Sequence, residues 1–351
     1  MRKVLKSISV AMAVTMLAGM FTGCGKVKEA DFTYNPDDYI KLGNYKGMEI
    51  EISNHDVTDA DLQNVIDQLL DKNKTYEAVD RAAKEGDEIL LNFNATISGI
   101  KIEGFSGTDY NIVIGSGDFL IDGFEEALIG LKAGDKRAIT GLKVPETFTE
   151  EPEYAGRGIT FNIDVQSVKE AVLPEYNDEF VTTVSEGNFT TVDAYNEELM
   201  KMLKENAESN YQTERNTKIL DKLVENVEVI NAFPQEYVDS KIENLQKEVV
   251  FYTGINNMTE EEYLLKYYDF DNYEDIVNKQ IAIEMAFQKI IEQENFEITE
   301  SYYKKHLQEA ADARGFASTA KFIEKYTEDG VVKSMLFDMV TDLLLDTAVE
   351  K

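Results

Sequence analysis

Residues 85–180 constrain this chain more than any other stretch, because their apolar runs are short, rich in β-branched residues and broken by glycine turns. Ile89 to Ile97, Asn111 to Ile114, Lys136 to Leu142 and Ile159 to Val168 read as strands. An aromatic-rich loop separates the first two. A turn at Ile114 to Gly117 follows the second, and one at Ala133 to Asp135 precedes the third. Between those turns, Gly123 to Leu128 starts a short helix that Gly130 can close. A long loop joins the last two strands.

The segments on either side follow other patterns. Gly47 to Ser53 alternates as a short strand. Thr58 caps a helix with Asp61 three residues on, and Leu62, Val65, Ile66, Leu69 and Leu70 share one face. From Thr191 onward the spacing is that of long helices. Val192, Tyr195, Leu199, Met202 and Leu203 open one, and Ile219, Leu220, Leu223 and Val224 continue its face. Pro234 sits at the first turn of the next, which carries Tyr237, Val238, Ile242, Leu245 and Val249 and ends at Gly254. Thr259 caps a third. Ile276 to Ile291, a segment from near Thr299, and one from Ser318 to Val349 complete the series.

The chain begins with Arg2, Lys3 and Lys6, followed by an apolar stretch from Val10 to Phe21. That stretch falls short of the ~20 apolar residues that span a bilayer. Thr22-Gly23-Cys24 follows, so residues 1–23 read as a lipoprotein signal peptide and Cys24 as the lipidated N-terminus. Phe21 stands where a lipobox usually has Leu. Residues 24–46 show no period and read as a lipidated tether. Cys24 is the single cysteine, so no intramolecular disulfide is possible and stability rests on packing.

Charge excludes several function classes. Lys and Arg number 35 against 67 Asp and Glu, a net charge of −32. Nucleic-acid binding needs clustered basic residues, and adhesion to anionic lipid needs a basic surface. Neither suits this composition, which suits solubility and basic or unfolded clients. The only histidines are His55 and His306, with no zinc-binding motif.

The stretch Glu85 to Val181, with the run Leu173 to Phe180 at its end, resembles the FKBP-type prolyl isomerase domain of the trigger factor family and its junction to the helical chaperone domain. Phe233 to Leu245, Asn257 to Tyr268 and Asn295 to Phe316 are similar to the family's C-terminal arms, in the same order. The resemblance runs from about Tyr45 to the C-terminus, with residues 47–81 matching the end of the family's N-terminal domain. The basic ribosome-docking signature has no counterpart, so ribosome binding is not expected. The implied fold class is α+β: an FKBP-like bent antiparallel sheet with a short helix over residues 82–170, then an all-α helical chaperone domain with extended arms over 171–351.

Prolyl isomerisation needs neither nucleophile nor metal, so no cofactor is expected. The barrier of about 18–20 kcal/mol comes from amide resonance, and an apolar pocket favours the twisted, less polar amide over the planar one. The resemblance places Phe93, Ile102, Glu103, Tyr110, Leu120, Ile121, Phe124, Phe148 and Ile163 on the pocket-lining positions. Phe124 would be the floor and Glu103 the acidic position. Ile102 replaces a usual aromatic, and Phe148 stands where a Tyr hydroxyl donates, with Tyr154 a substitute in the same loop. The turn from Gly115 to Gly123 is one residue longer than the family's, which places Asp122 just before Gly123.

The implied function is a membrane-anchored, extracytoplasmic peptidyl-prolyl isomerase and chaperone for unfolded or nascent secreted polypeptides. Ile102 and Phe148 favour an alternative: a non-catalytic holdase lipoprotein with a decayed pocket. A solute-binding lipoprotein would share the leader, but the chain lacks the repeating βα pattern of two-lobed binders. Stripes of Met, Tyr and Phe in the helices fit either a core or a client-facing surface.

Overall fold

The computed structural model describes residues 27–28, 30–148, 152–256 and 258–351. The leader and Cys24 lie outside them, as does the Glu103 side chain. The chain divides into two compact units. One is Val57–Lys204; the other combines the residues up to Asp56 with Glu205–Lys351.

The discontinuous unit starts with three short strands, β1 (Val27–Lys28), β2 (Ile40–Leu42) and β3 (Glu49–Ile50). Residues 30–46 therefore differ from the expected tether. Ala30, Phe32 and Tyr34 pack at alternate positions against the helical core, and Tyr39, Ile40 and Leu42 join it farther on. Ile40 is fully buried, Tyr34 lies 5.2 Å from Tyr237, and Phe32 stacks on Phe337 at 6.2 Å. The strand expected over Gly47 to Ser53 is regular only at Glu49–Ile50.

The continuous unit opens with α1 (Asp59–Lys72). The Thr58 N–H and hydroxyl both donate to the Asp61 carboxylate, at 2.8 and 2.7 Å. Five strands follow: β4 (Thr75–Ala78), β5 (Glu88–Ile97), β6 (Ile100–Val113), β7 (Lys136–Lys143) and β8 (Gly158–Val172). All pairings are antiparallel. β8 pairs with β5 along one edge, and β5 pairs with β6. On its other edge β8 takes β7 over its first half and β4 over its last residues. Thus β4, expected in a separate lead-in, is part of this sheet. So are α2 (Asp178–Val184) and the start of α3 (Val192–Glu225) part of the same compact unit.

Alternation explains which face is buried. Ile89, Leu91, Ala95 and Ile97 of β5 and Ile159, Phe161, Ile163 and Val165 of β8 share one core. A bulge opposite Leu90 and Leu91 then shifts the buried set of β8 to Val168. β6 is far longer than the expected Asn111 to Ile114. Ser98 and Gly99, both with positive φ, close a two-residue hairpin loop that aligns Ile97 with Ile100. The aromatic-rich stretch is therefore strand, interrupted by register shifts. The segment Gly123 to Leu128 tightens to a 3-10 turn, Glu126–Leu128. The Gly130 N–H then donates to the Ala83 carbonyl at 2.8 Å.

The helical unit is completed by β9 (Val227–Val229), α4 (Gln235–Asn256), α5 (Glu260–Tyr268), α6 (Tyr273–Glu294), β10 (Ile298–Thr299), α7 (Glu300–Ala313), α8 (Thr319–Tyr326), α9 (Glu328–Thr347) and β11 (Val349–Glu350). The short strands pair β1 with β10, β2 with β9 and β3 with β11, which stitches the N-terminal segment to the helices. Val277, Ile281, Ala286 and Ile290 of α6 and Val332, Val340 and Leu344 of α9 anchor the core. Gly254 lies inside α4 rather than at its end. The single helix expected from Ser318 to Val349 breaks at Thr327, which has a positive φ and accepts the Gly330 N–H to cap α9.

Asp342 on α9 is a strained point of this unit. Its Oδ1 is buried without a hydrogen-bond partner. Burial, aided by the charges of Asp338 and Asp346, pushes the carboxyl up to about 6. A folded-state value above the unfolded one means that stability is lost as pH rises through about 6. Asp342→Asn should therefore stabilise the protein at pH 7.5 by about 1 kcal/mol, after allowance for solvent screening of a half-exposed group. In denaturant unfolding the advantage should shrink by pH 5. An advantage that is equal at both pH values would contradict this account.

Candidate active site

Five aromatic rings converge on the buried face of the sheet. Phe93 comes from β5, Tyr110 from β6 and Phe161 from β8, while Phe119 and Phe124 come from the segment between β6 and β7. Phe124 is 0% exposed. Its ring lies 4.7 Å from Phe161, 5.9 Å from Phe93 and 3.9 Å from Phe119. Phe93 meets Tyr110 edge-on at 5.4 Å. Each fully buried aromatic of this kind contributes roughly 1.5–3 kcal/mol, with about 0.5–1.5 kcal/mol more per well-oriented ring pair.

Gly107 makes room for this arrangement. A Cβ on Gly107 would sit 2.5 Å from the Phe93 ring. A side chain there would push Phe93 out of the cluster.

The other residues named from the sequence fall in four groups. Ile102, Ile121 and Ile163 are buried in the same core as the rings. Phe148 packs at 5.5 Å on Phe105, and Tyr154 is partly buried against that core. Tyr110 and Leu120 stand at the rim, 39% and 52% exposed. Glu103 lies on β6, but its side chain is outside the described residues. Three residues join the site that were not named: Phe105, Phe119 and Phe161. Phe161 was legible from its period-two spacing with Ile159 and Ile163. Phe119 lies in the lengthened turn, where sequence pattern carries no signal for direction.

That turn is held by a buried carboxylate. Glu125, 5% exposed, accepts the N–H groups of Gly115, Gly117 and Phe119 at 2.8, 3.1 and 3.0 Å. The Ser116 hydroxyl donates to it at 3.3 Å. Burial pushes the carboxyl up, but these donors outweigh it and leave the group below the usual carboxylate range. Gly115 and Gly117 have φ of +87° and +73°, which lets three N–H groups point at one carboxylate.

An ion pair sets the start of β5. The Arg81 guanidinium donates to both oxygens of the buried Asp87, at 2.6 and 2.9 Å, and to Glu170 of β8 at 2.9 Å. The Lys84 N–H also donates to Asp87. Burial pushes the Asp87 carboxyl up, and Arg81 and the Lys84 N–H together more than reverse it, leaving it below the usual carboxylate range. This clamp ties β5, which carries Phe93, to β8, which carries Phe161.

The opposite face of the sheet is polar. Asn92, Asn94, Lys136, Asn162 and Asp164 line an open concavity of about 850 Å³ there, with Phe93 and Ile163 also in its lining. Its lining forms internal pairs, Asn94 with Asn162 and Lys136 with Asp164. The aromatic face is the one with the chemistry for a prolyl ring: apolar walls and a flat floor.

Comparison with known proteins agrees with this geometry. Residues 79–165 match the model of the FKBP-type peptidyl-prolyl cis-trans isomerase family. Residues 191–350 match the bacterial trigger factor C-terminus. The chain thus joins an FKBP-type isomerase domain to a chaperone's helical domain. Trigger factor from Caldicellulosiruptor saccharolyticus is 30% identical over 313 residues, covering 87% of this chain and 70% of that protein. Trigger factor from Bacillus mycoides is 30% identical over 332 residues, covering 91% and 75%. A solved trigger factor chaperone, described for promiscuous substrate recognition in folding and assembly, is 20% identical. It covers 88% of this chain and 72% of its own, at a TM-score of 0.41. The chain belongs to the trigger factor family.

Truncating the floor tests how tightly the rings are packed. Phe124→Ala should lower unfolding free energy by about 3–5 kcal/mol in denaturant titration. A loss under about 1 kcal/mol would mean that Phe124 is not enclosed as described.

Proposed function

We propose that this protein is a lipid-anchored, extracytoplasmic peptidyl-prolyl isomerase and chaperone that assists the folding of secreted polypeptides without docking on ribosomes. The aromatic box around Phe124 carries the isomerase reading. Phe93, Tyr110 and Phe161 would enclose the prolyl ring, and Phe124 would be its floor. Ile102, Ile121 and Ile163 would keep water from the amide. In such surroundings the planar amide loses the solvation of its dipole, and the twisted amide loses less. Uncatalysed exchange takes tens to hundreds of seconds, so a modest stabilisation of the twisted form matters to a folding chain.

The helical unit supports the chaperone reading. Val250, Phe251 and Ile255 near the end of α4 and Leu265 and Tyr267 of α5 are exposed large apolar side chains. Between the two helices, the buried Tyr263 of α5 meets Tyr267 at 4.5 Å and stacks on Tyr252 of α4 at 6.1 Å. An exposed apolar cluster at one helix hairpin suits tolerant contact with unfolded segments. The anchor reading rests on the sequence of the leader and on Cys24 as the only cysteine. Diacylglyceryl addition supplies the two chains that stable anchoring requires.

A second reading is a holdase whose isomerase pocket is closed, and one observation favours it. Phe119 already lies on Phe124.

The chain from residue 25 onward should accelerate cis/trans exchange of a prolyl peptide in a protease-coupled assay. Phe124→Leu, if folded by circular dichroism, should lose at least tenfold of that acceleration; exchange at the uncatalysed rate in the wild type would select the holdase reading. In light scattering of a denatured client, Phe251→Ser with Ile255→Ser should weaken protection while leaving isomerisation intact. Protection equal to wild type would remove the α4–α5 cluster from client holding. Cys24→Ala should shift the protein from the membrane to the soluble fraction or leave it unprocessed. A mature-sized membrane species would contradict lipidation.

A further inference from the structure

We infer that Phe119 is the gate of the prolyl site: its ring occupies the seat on Phe124 that a substrate proline takes, so a client enters by displacing it. This rests on the isomerase reading of the aromatic box. Phe119 and Phe124 are nearly parallel, with 18° between their planes and 3.9 Å between centroids. That is full face-to-face cover, the relation a proline ring would have to a flat aromatic floor. Phe119 also meets the three walls edge-on, at 5.8 Å from Phe93, 6.1 Å from Tyr110 and 5.7 Å from Phe161. One ring therefore touches every side of the box. Phe124 and Phe161 are fully buried, whereas Phe119, like Phe93, is only partly so, and Tyr110 stands at the rim.

The turn is built so that the ring can move while its backbone stays. The Phe119 N–H is pinned to Glu125, as are those of Gly115 and Gly117. Asp118 N–H adds a bond to the Ser116 hydroxyl. Rotation about the Phe119 side chain would lift the ring off Phe124 without breaking any of these bonds. It would move toward Leu120, which is already half-exposed. The box then has two states, one filled by its own phenylalanine and one open to a client. The apparent affinity for a prolyl peptide is reduced by the fraction of time the box is open. A gate of this kind admits clients held long enough to compete and excludes brief encounters.

The test uses the mature chain, its Phe119→Ala and Phe119→Leu variants, and an Ala-Leu-Pro-Phe peptide. Binding is measured by NMR titration and exchange by cis/trans cross-peaks. Phe119→Ala should bind the peptide about tenfold tighter, equivalent to 1.4 kcal/mol. Phe119→Leu should fall between it and the wild type. The same Phe119→Ala variant should melt at lower temperature, because a covering ring is lost. Tighter binding with lower stability separates a gate from plain packing, which would weaken both. Should the variants fold poorly, the unsubstituted chain gives a second measurement: ring-to-ring contacts between Phe119 and Phe124 should vanish at saturating peptide. Binding that is unchanged, weaker or undetectable in all forms would overturn the gate, as would Phe119–Phe124 contacts that persist with peptide bound. If binding tightens but no form accelerates exchange, the gate stands and the isomerase reading fails. If the wild type catalyses and Phe119→Ala binds no tighter, the gate fails and the isomerase reading stands.

Discussion

The Glu125 carboxylate is the hinge of the sheet unit. It is buried, charged and held by three backbone N–H groups and one hydroxyl. A buried charge without such donors would cost several kcal/mol. With them it becomes a rigid post around which the turn from Gly115 to Phe119 is wound. Phe124 precedes it in the chain, so the same residue pair that builds the floor also fixes the segment lying over it. Removing the charge would loosen the turn and the ring packing together, because both are attached to one short stretch of chain.

The clamp of Arg81, Asp87 and Glu170 plays the complementary part at the sheet's other end. It holds β5 and β8 in the register that brings Phe93, Ile163 and Phe161 to one face. Neither ionic site takes part in the proposed chemistry. Their effect is preorganisation: an apolar box whose walls do not need to rearrange when a proline arrives. The helical unit is organised by different physics. Its core is aliphatic, and short strand pairs tie the N-terminal segment to helices far along the chain.

Regular alternation made part of this legible in the sequence. β5 and β8 bury every second residue over long stretches, and their positions were readable from that alone. β6 was not, because its register shifts break the period and its Gly104, Gly107 and Asp109 read as loop. Residues 30–46 read as irregular because their few apolar side chains are scattered among polar ones, yet Phe32, Tyr34 and Ile40 all reach the one helical core. The break at Thr327 depends on one residue adopting positive φ, which a β-branched side chain disfavours and helical spacing does not reveal. At the site, Phe93, Tyr110 and Phe124 converge as ring contacts, while Phe148 turns to Phe105. Phe119 was invisible because it lies in a turn wound around Glu125, where residue spacing has no period to read.

The central claim is that a client's proline sits on Phe124. The most direct measurement is isotope-edited NMR of the mature chain with a saturating prolyl peptide, read as through-space contacts between the proline ring and individual aromatic side chains. The account predicts contacts to Phe124, Phe93 and Phe161. Contacts confined to the exposed residues of α4 and α5, with none to Phe124, would contradict it.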